Sequence, residues 1–96
     1  MTPEDAISSL NGSCLQDREG RYFFSCKSGV VVVRLRGAAH SMQFPARDHF
    51  AFRIGPAFLH VERRETGAVV RVFKWAEIEM LAAGEPEMAG GALFQG

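Results

Sequence analysis

Ninety-six residues, 47% hydrophobic and 23% charged, are enough for one compact core and exclude a disordered chain. No apolar run approaches the roughly 20 residues of a membrane-spanning helix. Net charge is zero, yet Gly20 to Trp75 carries ten Lys/Arg against three Asp/Glu, a surplus of +7, while the flanks carry −3 and −4.

Such asymmetry fits an anionic partner, or a basic sheet lying beside its own acidic helices. The acidic opening Met1-Thr2-Pro3-Glu4-Asp5 lacks the apolar stretch of a secretory signal, so a cytoplasmic protein is expected. The two cysteines, Cys14 and Cys26, are expected to be buried or half-buried thiols, because nothing points to an oxidising compartment.

The first element reads as a short helix. Thr2 suits the N-cap and Pro3 the first helical position, while Glu4 and Asp5 complement the positive end of the macrodipole. Ala6, Ile7 and Leu10 make one apolar stripe, and Asn11-Gly12 ends it. Three similar punctuation marks follow: Arg18-Glu19-Gly20, Lys27-Ser28-Gly29 and Glu65-Thr66-Gly67. Each suits a three-residue hairpin loop closing on a positive-φ glycine.

Between and beyond these marks lie six strand-like runs. They are Arg21–Cys26, Val30–Arg36, His40–Phe44, His49–Ile54, Ala57–Arg64 and Ala68–Lys74. The four valines at 30–33 predict a central strand covered on both faces. In the last hairpin, setting Arg64 opposite Ala68 puts Ala57, Leu59, Val61, Val69, Phe73 and Trp75 on the core face. Phe58, His60, Glu62, Val70 and Val72 fall on the other face, which is too apolar to be plain solvent surface.

Trp75, Ile78, Leu81 and Ala82 recur at helical spacing, with Gly84 and Pro86 as a stop. This predicts a C-terminal helix over about 75–83, packed on the sheet. Residues 1–84 then form a single domain and the Gly-rich 85–96 a flexible tail. The predicted class is α+β: a short N-terminal helix, an antiparallel meander of five to seven strands and a C-terminal helix. The order fits an open curved sheet. It also fits a half-barrel that is similar, in element order alone, to pleckstrin-homology domains.

No motif prescribes a chemistry. Cys14, Cys26, His40, His49 and His60 show none of the close ligand spacings of a metal site. The serines lie outside any nucleophile elbow, and Asp48-His49 would point to opposite faces of a strand. His60 and Glu62 share a face, but a cross-strand or solvated pair explains them better than a catalytic base. Neither an enzyme nor a cofactor is therefore expected.

Two binding readings remain. Arg34, Arg36, Arg53, Arg63, Arg71 and Lys74, interleaved with phenylalanines, resemble the cation-and-aromatic mixture of sheets that bind single-stranded nucleic acid. Arg63 and Arg71 also fall beside the core face, where their heads would pair with Glu77 or Glu79 instead. The favoured reading is a protein-binding module: a regulator, adaptor or inhibitor, of the kind that phages and mobile elements also carry. Its partner surface would be Phe58, His60, Val70 and Val72, with a homodimer as the simplest assembly.

Overall fold

The computed structural model describes residues 1–84; the tail expected at 85–96 lies outside them. Helix α1 spans Pro3–Asn11 and forms as its sequence dictates. The Thr2 side chain accepts from the Asp5 backbone N–H while the Asp5 carboxylate accepts from Thr2 N–H, a reciprocal cap. Ala6 and Leu10 are its buried residues.

Eight antiparallel strands follow among the described residues: β1 (Leu15–Gln16), β2 (Arg21–Phe23), β3 (Val30–Leu35), β4 (Met42–Pro45), β5 (Phe50–Ile54), β6 (Phe58–Arg63), β7 (Val69–Lys74) and β8 (Ile78–Gly84). They divide into a five-stranded sheet, β1-β2-β5-β6-β7, and a three-stranded sheet, β4-β3-β8, and no barrel closes. The class is α+β, and the six strands read from the sequence are all present.

The expected C-terminal helix is absent. In its place a 3-10 turn, Trp75–Glu77, leads into β8, which pairs with β3 from Val30↔Gly84 to Leu35↔Ile78. The pairing steps from Arg34↔Met80 to Leu35↔Ile78, so Glu79 is the extra residue of a β-bulge. Without a bulge, residues three apart on a strand face opposite sides. With it, Ile78 and Leu81 are both buried. The bulge therefore reproduces the i, i+3 spacing of a helix, and the valine strand β3 gains the second neighbour it needs.

The turn at Lys27-Ser28-Gly29 also differs from expectation, because β2 and β3 belong to different sheets and form no hairpin. Gly20 and Gly67 do take positive φ, 82° and 74°, but Gly29 does not. It is glycine for another reason: a Cβ there would stand 2.3 Å from ring carbons of Phe24. The chain crosses from one sheet to the other directly over that ring.

The core lies between the two sheets. Tyr22, Phe52, Leu59, Val61 and Phe73 face Val31, Val33, Phe44 and Leu81, with Ala6 and Leu10 of α1 closing one end. Phe44 of β4 makes edge contacts with Phe50, Phe52 and Phe73 at ring separations of 5.3, 6.0 and 6.2 Å. Such pairs add to simple area burial, and here they join the sheets. Val30 and Val32 are buried as well, so both faces of β3 are covered as predicted.

Candidate functional site

The outer face of the five-stranded sheet carries the features that core packing leaves unexplained. Its rows follow from the pairing: Arg21↔Arg53↔His60↔Val72 in one, Ala51↔Glu62↔Val69 beside it, and Phe58↔Lys74 at the end of the hairpin. The tight turn before β6 places Phe58. Gly55 N–H donates to Phe58 O at 2.9 Å, and Trp75 Nε1 donates to Gly55 O at 3.0 Å, tying that turn to the end of β7.

At the β6–β7 end this face is apolar and open. Phe58 is 37% exposed, Val70 38%, Val72 49% and Val69 51%. His60 is half-buried beside Phe58, the ring centroids 6.1 Å apart, and its Nδ1 is buried without a hydrogen-bond partner. The structure thus gathers Phe58, His60, Val70 and Val72 in one place, and β7 is the last strand of its sheet. Val69 and Ala57 are the corrections: both were expected on the core face, and both are exposed. The hairpin closes with Arg63 N–H on Ala68 O, and the pairing slips between Val61 and Glu62, leaving Val69 and Val70 both exposed.

At the β2–β5 end the same face is a charge cluster. Glu62 is buried and accepts from Arg53 Nε at 2.9 Å, with Arg21 Nη1 3.6 Å away. Arg21 Nε also lies 2.9 Å from Asp17 and 3.1 Å from Glu19. The hydrogen bond to Glu62, against some desolvation, raises the pKa of Arg53. For Asp17, desolvation pushes upward but loses to hydrogen bonds from the Arg21 backbone and side chain and the Glu19 backbone, so its carboxyl sits below the usual value.

The six cations of the nucleic-acid reading do not form one surface. Arg34 of β3 pairs with Glu79 at 3.1 Å, and Arg36 Nε donates to Ala76 O at 2.9 Å. Arg53 belongs to the outer charge cluster. Arg63 and Arg71 lie on the other face, by pairing with Phe50 and Val61. Arg63 donates to Asp48 O at 2.9 Å over the Phe50 ring, and Arg71 donates to Met42 Sδ at 3.0 Å over the Phe73 ring. These contacts replace the expected pairing with Glu77 or Glu79. Lys74 stands exposed at the end of β7.

Both cysteines are half-buried thiols outside any disulfide, as expected, and burial pushes the Cys14 thiol up to about 12. Among the described residues no three of His, Cys, Asp and Glu gather as a metal site would require, and no helix is long and apolar enough to cross a membrane. Comparison with protein-family models, curated proteins and solved structures finds no match to this chain. The site therefore rests on its own geometry.

Proposed function

We propose that this chain is a small non-enzymatic protein-binding module, of the regulator, adaptor or inhibitor kind, that docks through the outer face of the β6–β7 hairpin. The observation that supports it is the open apolar patch of Phe58, Val69, Val70 and Val72 at the free margin of the sheet. A contiguous exposed apolar area of this sort is what interaction surfaces share. Lys74 sits beside Phe58 in the pairing, and Glu62, the acid opposite Val69, is buried and neutralised by Arg53, so the exposed charge of the patch is positive. Charge complementarity then favours a different protein, with an apolar surface rimmed by Asp or Glu, over a second copy that brings like charges together.

A photo-crosslinking residue at Val72, with Ala38 as the control position, tests this reading. Val70→Lys/Val72→Lys provides the docking-deficient variant. These side chains are exposed, so the double change alters stability by only about 0.5 kcal/mol per site. The expected result is one partner crosslinked from Val72 and not from Ala38. The purified partner should bind the parent chain and lose about tenfold or more in affinity for the variant. Equal crosslinking from both positions overturns the reading. A crosslink between two copies, with a dimer in sedimentation at ~10–100 μM, would replace it with the homodimer.

A further inference from the structure

On the outer side of the smaller sheet, the crossover from β2 to β3 and strand β4 enclose a cleft of about 230 Å³. Lys27, Ser28 and Gly29 line it from the crossover, and Gln43 and Arg47 from β4 and the turn after it, with the paired Val30 and Pro45 completing the wall. Among the described residues its lining carries two cations and no carboxylate. Arg21, Arg34 and Arg53 all have acidic partners, whereas neither Lys27 nor Arg47 has an ion-pair or hydrogen-bond partner among the described residues.

The backbone around the cleft is held in place. Gly29 is pressed against the Phe24 ring so closely that no side chain fits there. Its carbonyl accepts from Ala46 N–H at 2.8 Å, which ties the crossover to the end of β4. A pre-set backbone lowers the ordering cost of a ligand. Two unneutralised cations raise the local anion concentration, and charge-assisted hydrogen bonds to phosphate are the stronger kind. The Gln43 amide, and the Ser28 hydroxyl on exchanging its long 3.5 Å contact with Cys26 Sγ, supply neutral donors beside them. A cleft this small suits one phosphate group rather than a whole nucleotide, since sites for larger ligands run to about 300–1,000 Å³.

We infer that this cleft binds a phosphate-class dianion, either inorganic phosphate or the phosphate of a small monoester, between Lys27 and Arg47. It shares no residue with the β6–β7 docking face, so the two proposals stand or fall separately. The test is an amide-resolved NMR titration of the full chain with sodium phosphate, at constant ionic strength and neutral pH. Saturable shifts are expected at Ser28–Val30 and Gln43–Arg47, with a Kd on the order of 1–10 mM. Lys27→Gln and Arg47→Gln should each weaken binding about tenfold while the remaining spectrum stays folded. Tighter binding of glycerol phosphate at the same amides assigns the cleft to monoesters; equal or weaker binding assigns it to inorganic phosphate. Shifts that stay linear to ~50 mM, or saturation unchanged in both variants, overturn the proposal. So does a single-stranded oligonucleotide that outcompetes both ligands with shifts spreading far beyond the cleft, which would restore the nucleic-acid reading.

Discussion

Cys14 shows how burial decides the chemistry of a single side chain. Its thiol packs at the margin of the core, and desolvation pushes its pKa up to about 12, so the nucleophilic thiolate is scarce at neutral pH. A thiol-specific disulfide reagent at pH 8 should therefore modify Cys14 far more slowly in the native chain than in the unfolded one. The measurement is the biphasic labelling of native and denatured chain, with Cys14→Ser expected to remove the slow phase alone. Fast labelling of Cys14 in the native chain would contradict its burial. Gly29 teaches a related lesson. Its residue type suggests a turn with positive φ, but its true constraint is the Phe24 ring, which belongs to tertiary packing.

At the scale of elements, the turn between β1 and β2 was legible because it is local chemistry, while the two-residue strand β1 was not among the runs read. Asp17 Oδ1 accepts from the backbones of Glu19 and Arg21, both at 2.9 Å, and Gly20 supplies the positive φ. The folded Asp17 pKa lies below its ordinary 3.8. Its carboxylate thus stabilises the folded state above that value, and the contribution disappears as pH falls through the lower folded pKa. The melting temperature of Asp17→Asn should accordingly lie below the parent's at pH 7, with the gap closing below about pH 4. A gap independent of pH would show that the charge is not what matters. Strand β8 was not legible, because a bulge at Glu79 gives a strand the burial spacing of a helix. Local periodicity cannot separate the two; only the partner strand β3 does.

For the whole molecule, the question is what clasps one sheet to the other. Phe44 does so through three aromatic contacts, and Arg71 of β7 reaches Met42 of β4 across the open rim. Arg63 and Arg71 stack on Phe50 and Phe73 at 4.9 and 5.5 Å, so their stems are packing groups as much as charges. Arg63→Glu/Arg71→Glu should therefore lower stability by about 2 kcal/mol, roughly 8–16 °C in Tm for a domain of this size. Thermal melts decide this. An unchanged Tm would show that the two guanidinium groups are free, and would return them to the nucleic-acid reading.

By itself the sequence determined what short-range physics controls. Capping and an apolar stripe made α1, runs of β-branched and aromatic residues between turn signals marked six strands, and two of three polar-polar-Gly marks became hairpins. Counting outward from Arg64 opposite Ala68 put Phe58, His60, Val70 and Val72 on one face; the turn closes one residue earlier, at Arg63, and the slip between Val61 and Glu62 restores the expected pairing only from Val61↔Arg71 onward. Only the tertiary structure decided how the strands divide into two sheets, that β8 is a strand, and that Val69 is exposed. It also decided that Arg34, Arg53, Arg63 and Arg71 are engaged within the molecule while Lys27 and Arg47 face a cleft. Arg34 meets Glu79, Arg71 meets Met42, and Gln43 and Lys27 come to line one cleft only once distant segments pair. Long-range pairing is selected by the joint burial of many side chains, and no local window of sequence contains that sum.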